Sequence, residues 1–259
     1  MKLQVLVSAV NRDREELIES MNLKADAIII NQTDVHGYTQ LNKNGFTYDC
    51  YDFVEKGVGL SRNNALLRAD ADIVLFSDED ITYEDDFAGK VIEAFEDNPS
   101  ADMLLFNFNV CESRRTYWIQ KKHRVRIHNS GRYPTYSFAI RLDKLRKSRV
   151  MYSLLFGGGA KYSNGEDSLF IRDLIHKGFR IYALPICLGS EAERESSWFS
   201  GYTEKFFFDR GVLYHFLYGQ LAGLMGFVFW MRKKSFMCKQ VEPKRALRLI
   251  KDGIKEGRG

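Results

Sequence analysis

The chain has almost no surplus of charge. Its 38 Lys and Arg against 34 Asp and Glu leave a formal net charge of +4 over 259 residues, too small for a general nucleic-acid binder. Proline is scarce, and with ordinary apolar and charged content that argues against disorder. Cys50, Cys111, Cys187 and Cys238 are scattered with no Cys-x-x-Cys pair. Neither a zinc site nor a disulfide framework is indicated, and reduced cytosolic thiols are the simplest reading. Met1-Lys2-Leu3-Gln4-Val5 leads straight into a strand and carries no signal-peptide pattern. The run Gly157-Gly158-Gly159 is followed by no Gly-Lys-Ser/Thr, so it is not a phosphate-cradling P-loop. It reads instead as a loop able to move or to lie against a ligand.

What is present is an alternation of buried-strand and helix patterns. Leu3 to Val10, Ala27 to Ile30, Phe46 to Phe53, Ile73 to Phe76 and Asp102 to Val110 read as strands. Helices are expected over Arg12 to Met21 with Asn11 as its cap, Leu60 to Ala69 with Leu66 and Leu67 buried, Tyr83 to Asn98, and Ser168 to Lys177. A last short strand, Phe179 to Leu184, is expected to end at Pro185. Strand, helix and strand in the first thirty-odd residues make a βαβ unit, which predicts an α/β fold with a mostly parallel central sheet. Charge is unevenly spread: residues 1–110 are acid-rich, whereas 114–132 and 232–258 are basic. Between Arg114 and Ile127 cations alternate with Tyr117, Trp118, Ile119 and Val125, predicting an exposed hairpin with one basic face. That face is either simply solvated or a pad for a diphosphate or anionic lipid headgroups.

The run Ile73-Val74-Leu75-Phe76 stops at Ser77-Asp78-Glu79-Asp80. Acids at the carboxyl end of a buried strand stand where open α/β sheets bind their ligands. Asp78 and Asp80 are two apart and can point the same way. Two hard carboxylates suit Mg²⁺ or Mn²⁺, which also hold phosphates; a solvated turn is the plain alternative. Arg62 falls in the expected first turn of its helix, where a cation opposes the dipole. An anionic ligand or a carboxylate, Asp78 or Asp80 among them, should answer it. Glu166 and Asp167 open another helix, where acids are favoured by the dipole alone. Adjacent side chains diverge by about 100° on a helix, so only one of the two is expected to face a cleft.

Gly59-Leu60-Ser61-Arg62-Asn63-Asn64-Ala65, then Asp78-x-Asp80, then Asn164-Gly165-Glu166-Asp167-Ser168-Leu169-Phe170 resemble, as an ordered set, family 2 glycosyltransferases of the GT-A fold. The likeness is to the small bacterial enzymes of capsule or O-antigen polysaccharide, and it covers roughly residues 1–210. It implies a Rossmann-like sheet with a nucleotide-sugar half over about 1–110 and an acceptor half over about 111–210. By the same resemblance Ser8, Ala9, Val10 and Asp34 hold the base and ribose, and Arg62 and Asp78 lie beside the donor. Asp78 and Asp80 hold a divalent metal, Mn²⁺ or Mg²⁺. Asp167 is the general base, and Glu166 orients the acceptor or neighbouring backbone. Trp198 stacks on the sugar under a closing loop, with Lys205 or Arg210 near phosphate, and His215 is a candidate further metal ligand. Plainer readings stand beside these: Asp34 closing a turn before Gly37, Trp198 packing in a core, His215 structural.

The implied activity is inverting transfer of a sugar from a nucleotide-diphosphate sugar, a UDP-sugar, to a hydroxyl of a polyprenyl-linked or oligosaccharide acceptor, with no nucleic-acid partner. Ala9-Val10-Asn11 and Asn31-Gln32 depart from the family pattern in the base-binding region. Two other readings remain. One is a sugar nucleotidyltransferase of related fold, although Ser8 to Arg14 lacks the glycine-rich loop such enzymes carry. The other is a non-catalytic membrane-surface scaffold.

Val212 to Met231 is a run without a charged side chain, closed by Arg232-Lys233-Lys234. Its length reaches the lower bound for crossing a bilayer. The run reads as a helix pair, with Gly219-x-x-x-Gly223 permitting close packing and Trp230 at headgroup level. Ala246 to Ile254 follows as a basic amphipathic helix. Residues 211–259 are therefore expected to form a helical, membrane-associating appendage on the inner face of the plasma membrane.

Overall fold

The computed structural model describes residues 1–112, 115–192 and 201–259. Arg114, Trp198 and the loop around Trp198 fall outside them.

The first strand, β1 (Leu3–Val10), is followed by α1 (Arg14–Ser20) and β2 (Asp26–Gln32). β1 and β2 are parallel, with Gln4 opposite Asp26 and Val10 opposite Gln32, so the predicted βαβ unit is present. The cap of α1 is not Asn11. Asp13 accepts from the N–H groups of Glu15 and Glu16, while Asn11 takes a left-handed backbone at φ 50° and donates to Gln32 O. Asparagine tolerates that conformation, which turns the chain before the helix.

Next come β3 (Gly37–Lys43) and β4 (Phe46–Phe53), an antiparallel hairpin across Asn44-Gly45, and then α2 (Val58–Arg68). The central strand β5 (Ile73–Asp78) leads through a turn into β6 (Ile81–Tyr83), α3 (Phe87–Glu96) and β7 (Met103–Asn109). A long irregular stretch contains β8 (His123–Arg124) and precedes β9 (Phe138–Arg141) and α4 (Leu142–Ser148). Then follow α5 (Glu166–His176), β10 (Ile181–Glu191) and three helices, α6 (Glu204–Tyr218), α7 (Ala222–Met237) and α8 (Pro243–Glu256).

The strands form one sheet in the order β3-β4-β2-β1-β5-β9-β7-β10-β6, with β8 also on β10. β4, β2, β1, β5, β7 and β10 run the same way, and β3, β9, β6 and β8 run against them. The α/β class and mostly parallel sheet are as expected. Alternate residues of β1 supply the two cores. Leu3, Val5 and Val7 face α1 and α3, while Leu6 joins Val74 and Phe76 under α2, α4 and α5.

Three further expectations are corrected. Leu67 is exposed and only Leu66 is buried, because α2 turns one face to the sheet. β10 does not stop at Pro185 but runs on to Glu191, its register slipping between Ala183 and Cys187. A bulge of this kind tolerates a residue that cannot donate to the ladder. The basic hairpin is absent from the described residues. Tyr117, Ile119 and Val125 are buried as period two requires. The Ile119 backbone, however, pairs with the Asn107 side chain, which donates to Ile119 O and accepts from Ile119 N, while Val125 N donates to Ile181 O.

β2, β1 and β5 lie side by side with their carboxyl ends together, and Ser8 is opposite Asp78. The chain leaves β1 toward β2 on one side and reaches β5 on the other. This is the switch point at which such sheets form a crevice.

Candidate active site

α2 organises this edge. Gly59 lies so close to the backbone of Ser153 that a Cβ would collide with its carbonyl oxygen. Ser61 Oγ donates to Ser8 Oγ at 2.9 Å. Asn63 holds Tyr152 at both backbone groups, donating to its O at 2.9 Å and accepting from its N at 2.8 Å. Asn64 reaches Glu55. Ser61, Asn63 and Asn64 thus spend their side chains on ties to neighbouring segments of the sheet edge.

Arg62 sits at the centre of this arrangement, 4% exposed. Its Nη1 donates to Glu166 Oε1 at 2.9 Å and its Nη2 to Asp78 Oδ1 at 2.9 Å, and the guanidinium lies over the Tyr152 ring. Burial opposes its charge, yet Asp78 and Glu166 outweigh that and raise its pKa. α2 begins at Val58, so Arg62 is in the second turn, and two carboxylates answer it rather than the helix dipole opposing it. Tyr152 stacks on Phe170 of α5 at 4.0 Å, closing the wall behind the guanidinium. Nothing in the sequence marked Tyr152; only the pairing with Asn63 reveals it.

Gly165, at φ 118°, delivers α5 with Glu166 and Asp167 in its first turn. Glu166 is turned inward to Arg62. Asp167 is partly open, its carboxylate accepting from Ser168 N. Burial pushes the Asp167 carboxyl up to about 7, the Glu166 charge pushes the same way, and Arg62 partly offsets both. The two acids therefore differ in role by environment. One is a fixed counter-charge, and the other is a carboxyl poised near neutrality.

The glycine run packs against the same place. A Cβ at Gly157 would lie 2.9 Å from the Glu166 carboxylate, and one at Gly159 would lie 2.9 Å from Gly57 N. Val58 N donates to Gly158 O at 2.9 Å. Here glycine allows close approach of backbone to a carboxylate and to a helix start.

Other expected site residues are placed as follows. Ser8 is buried on Ser61. The Ala9 side chain belongs to the core under α1 and α3. Val10 is 41% exposed, and its N–H donates to Glu79 Oε2 at 2.8 Å. Asp34 is exposed beyond the end of β2. Asn31 and Gln32 serve the frame: Asn31 bonds both backbone groups of Arg12, and Gln32 donates to Gly57 O. Lys205 pairs with Asp209, and Arg210 lies among Phe206, Tyr214 and Phe229, so both serve the helical appendage. The His215 ring packs on Gly257, and among the described residues no three His, Cys, Asp or Glu converge as a metal cluster.

The donor set nonetheless fits a hard divalent cation in part. Asp78 gives Oδ1 to Arg62 but its side chain stays 32% exposed, and Asp80 follows two residues on, half-buried, with its carbonyl accepting from Ala192 N at 2.8 Å. Mg²⁺ and Mn²⁺ sites of this class take one or two carboxylates and complete their shell with phosphate and water.

Comparison with known proteins bears on the fold. Residues 49–161 match Glycosyl transferase family 2. That segment contains α2, Arg62, Asp78 and Asp80. Among curated proteins no sequence matches. In overall structure the chain resembles Staphylococcus aureus TarS 1–349 in complex with UDP-GlcNAc, with TM-score 0.64 and 17% identity over 98% of this chain and 81% of that one. It spans 49% of the longer TarS structure. It also resembles the mannosyltransferase PcManGT from Pyrobaculum calidifontis in complex with GDP-Man and Mn²⁺, with TM-score 0.52 and 12% identity over 99% of this chain and 75% of that one. The fold is GT-A, and the family match together with that fold supports glycosyl transfer as the activity.

Proposed function

We propose that the protein transfers a sugar from a nucleotide-diphosphate sugar, a UDP-sugar in the first instance, to a hydroxyl of a polyprenyl-linked or oligosaccharide acceptor of cell-surface polysaccharide, with inversion. One observation carries this reading: Asp78 at the end of β5 and Glu166 at the start of α5, 88 positions apart in the sequence, share the Arg62 guanidinium. That shared contact supports a single site in which the acids after β5 would hold the cation beside the Glu166-Asp167 pair. TarS crystallised with UDP-GlcNAc and PcManGT with GDP-Man and Mn²⁺ support the donor class and the metal.

Asp167 accepts the proton of the acceptor hydroxyl as that oxygen attacks the anomeric carbon, and a carboxyl with a pKa near 7 is matched to that task. Glu166 and Arg62 hold their positions by pairing with each other. With both terminal nitrogens already on carboxylates, Arg62 acts on the donor through Asp78 and not by direct contact. Asp78 and Asp80 hold the cation, which when bound offsets charge gathering on the departing nucleoside diphosphate. Ser8, Val10 and Asp34, on the rim of β1 and β2, lie on the side left for base and ribose; Trp198 remains a candidate for the sugar.

The test is a panel of UDP- and GDP-sugars incubated with Mn²⁺, followed by release of the nucleoside diphosphate. Release from one donor, lost in Asp167→Asn, supports the reading. No release from any donor, with the protein folded, contradicts it.

A further inference from the structure

The stretch from Arg210 to Val241 contains no acidic residue, while Arg232, Lys233, Lys234 and Lys239 lie at or just beyond the end of its apolar run. By length and composition Glu204–Met237 passes as one bilayer-crossing helix of 34 residues, only 22% of its most apolar window being buried. The fold rules that out. Gly219, at φ 52°, breaks the run, and α7 turns back on α6: the Tyr214 ring lies 5.7 Å from Phe229 and touches the Gly226 position. In a straight helix residues 214 and 229 would stand about 22 Å apart. Each arm, 15 residues in α6 and 16 in α7, is shorter than the roughly 20 residues a crossing needs.

The hairpin is clamped from one side. Gly211 and Gly253 bring α6 and α8 into backbone contact, and Ala222 and Gly226 turn the inner face of α7 toward Ile250. Trp230 Nε1 donates to Pro243 O at 2.8 Å, joining α7 to the start of α8. The opposite face of α7 is apolar and uncovered: Leu224, Phe227 and Met231, at helical spacing, are 60%, 47% and 48% exposed, and Leu221 before them is 61% exposed. Arg232 follows on an exposed position, and Lys234, three residues after Met231, reaches that residue's sulfur at 3.8 Å. An apolar stripe ending in cations, with no acid near it in sequence, is complementary to an anionic lipid surface.

We propose that α7 lies in the plane of an anionic membrane surface, sinking Leu221, Leu224, Phe227 and Met231 among the lipid chains, with Arg232 and Lys234 on lipid phosphates. The protein rests on the bilayer and does not span it. This docking needs no particular reaction from the pocket.

The full chain is floated with vesicles of phosphatidylcholine alone and of equal parts phosphatidylcholine and phosphatidylglycerol. The expected result is flotation on the mixed vesicles, weaker by about tenfold or more on the neutral ones and reversed by high salt. Leu224→Ser/Phe227→Ser and Arg232→Gln/Lys234→Gln should each lower partitioning by about tenfold or more, with little change in thermal unfolding because none of these side chains is buried. Alkaline carbonate should strip the wild-type protein from the vesicles. No flotation on mixed vesicles, or equal flotation of the serine double variant, overturns the proposal. Resistance to carbonate overturns its in-plane geometry. A dimer in sedimentation equilibrium that the serine variant dissociates would assign the face to a second copy of the chain and overturn it too.

Discussion

Arg62 Nη1 and Glu166 Oε1 lie 2.9 Å apart, although 104 residues separate them in the chain. With Asp78 on the other nitrogen, the guanidinium is a buried tie between α2, β5 and α5. Buried ion pairs add little when complete but are costly to break, because the surviving partner keeps its desolvation cost.

Arg62→Met should therefore lower unfolding free energy by about 3–5 kcal/mol, measured by urea titration. The double variant Arg62→Met/Glu166→Gln should recover part of the loss, because it removes one of the stranded charges. Additive losses would show that the pair is not coupled.

Glycine substitutions probe the same crowding. Gly159→Ala meets both a positive φ of 79° and Gly57 N at 2.9 Å, and should destabilise by about 1–3 kcal/mol or more. Gly45→Ala has a similar φ, 84°, with nothing within 4 Å, and should cost only the backbone strain of about 1–2 kcal/mol. Thermal unfolding of the two variants separates contact from conformation.

Asp209 Oδ2 accepts from Ser163 N and Ser163 Oγ, each at 2.9 Å, and from Lys205 at 2.7 Å, tying α6 to the segment before α5. Asp209→Ala removes the buried acceptor of the part-buried Ser163 groups and should cost about 1–3 kcal/mol. It should also loosen the entry to α5 and lower kcat more than it raises KM for the donor. Unchanged kinetics would leave this tie a purely structural one.

Much of this was legible in the sequence, and for physical reasons. Ile73 to Phe76 reads as a strand because a doubly covered strand must be apolar throughout, and the acids after it mark its open end. The order of the three motifs also foretold which elements meet. What failed depended on partners distant in the chain. The alternation around Tyr117 is real, but a side chain, Asn107, takes the place of a pairing strand. Pro185 looked like a strand end because the register slip that accommodates it has no local signature. Asn44-Gly45 did announce the β3–β4 hairpin, a signal the strand reading passed over. The direction of Glu166 was not legible either: helix spacing says that Glu166 and Asp167 diverge, but only Arg62 decides which one turns inward.

A carboxyl raised by its surroundings also leaves a mark on stability. The Asp167 carboxyl sits above its ordinary value, at about 7, so the fold disfavours its charged form. Stability should decline as pH rises from the ordinary carboxylate range through about 7. Asp167→Asn should therefore raise the unfolding temperature at pH 8 by about 2–8 °C, for about 1–2 kcal/mol relieved after discounting its partial exposure, and barely change it at pH 5.

The most direct measurement is the pH dependence of kcat/KM for the acceptor, with donor and Mn²⁺ saturating, in the wild-type protein and Asp167→Asn. The account predicts a wild-type rate that climbs with pH and levels off above about 7, and a variant slower by about 10²–10⁴ whose profile has lost that limb. A variant that keeps the wild-type rate, or keeps the same limb at lower rate, would show that Asp167 does not take the acceptor's proton.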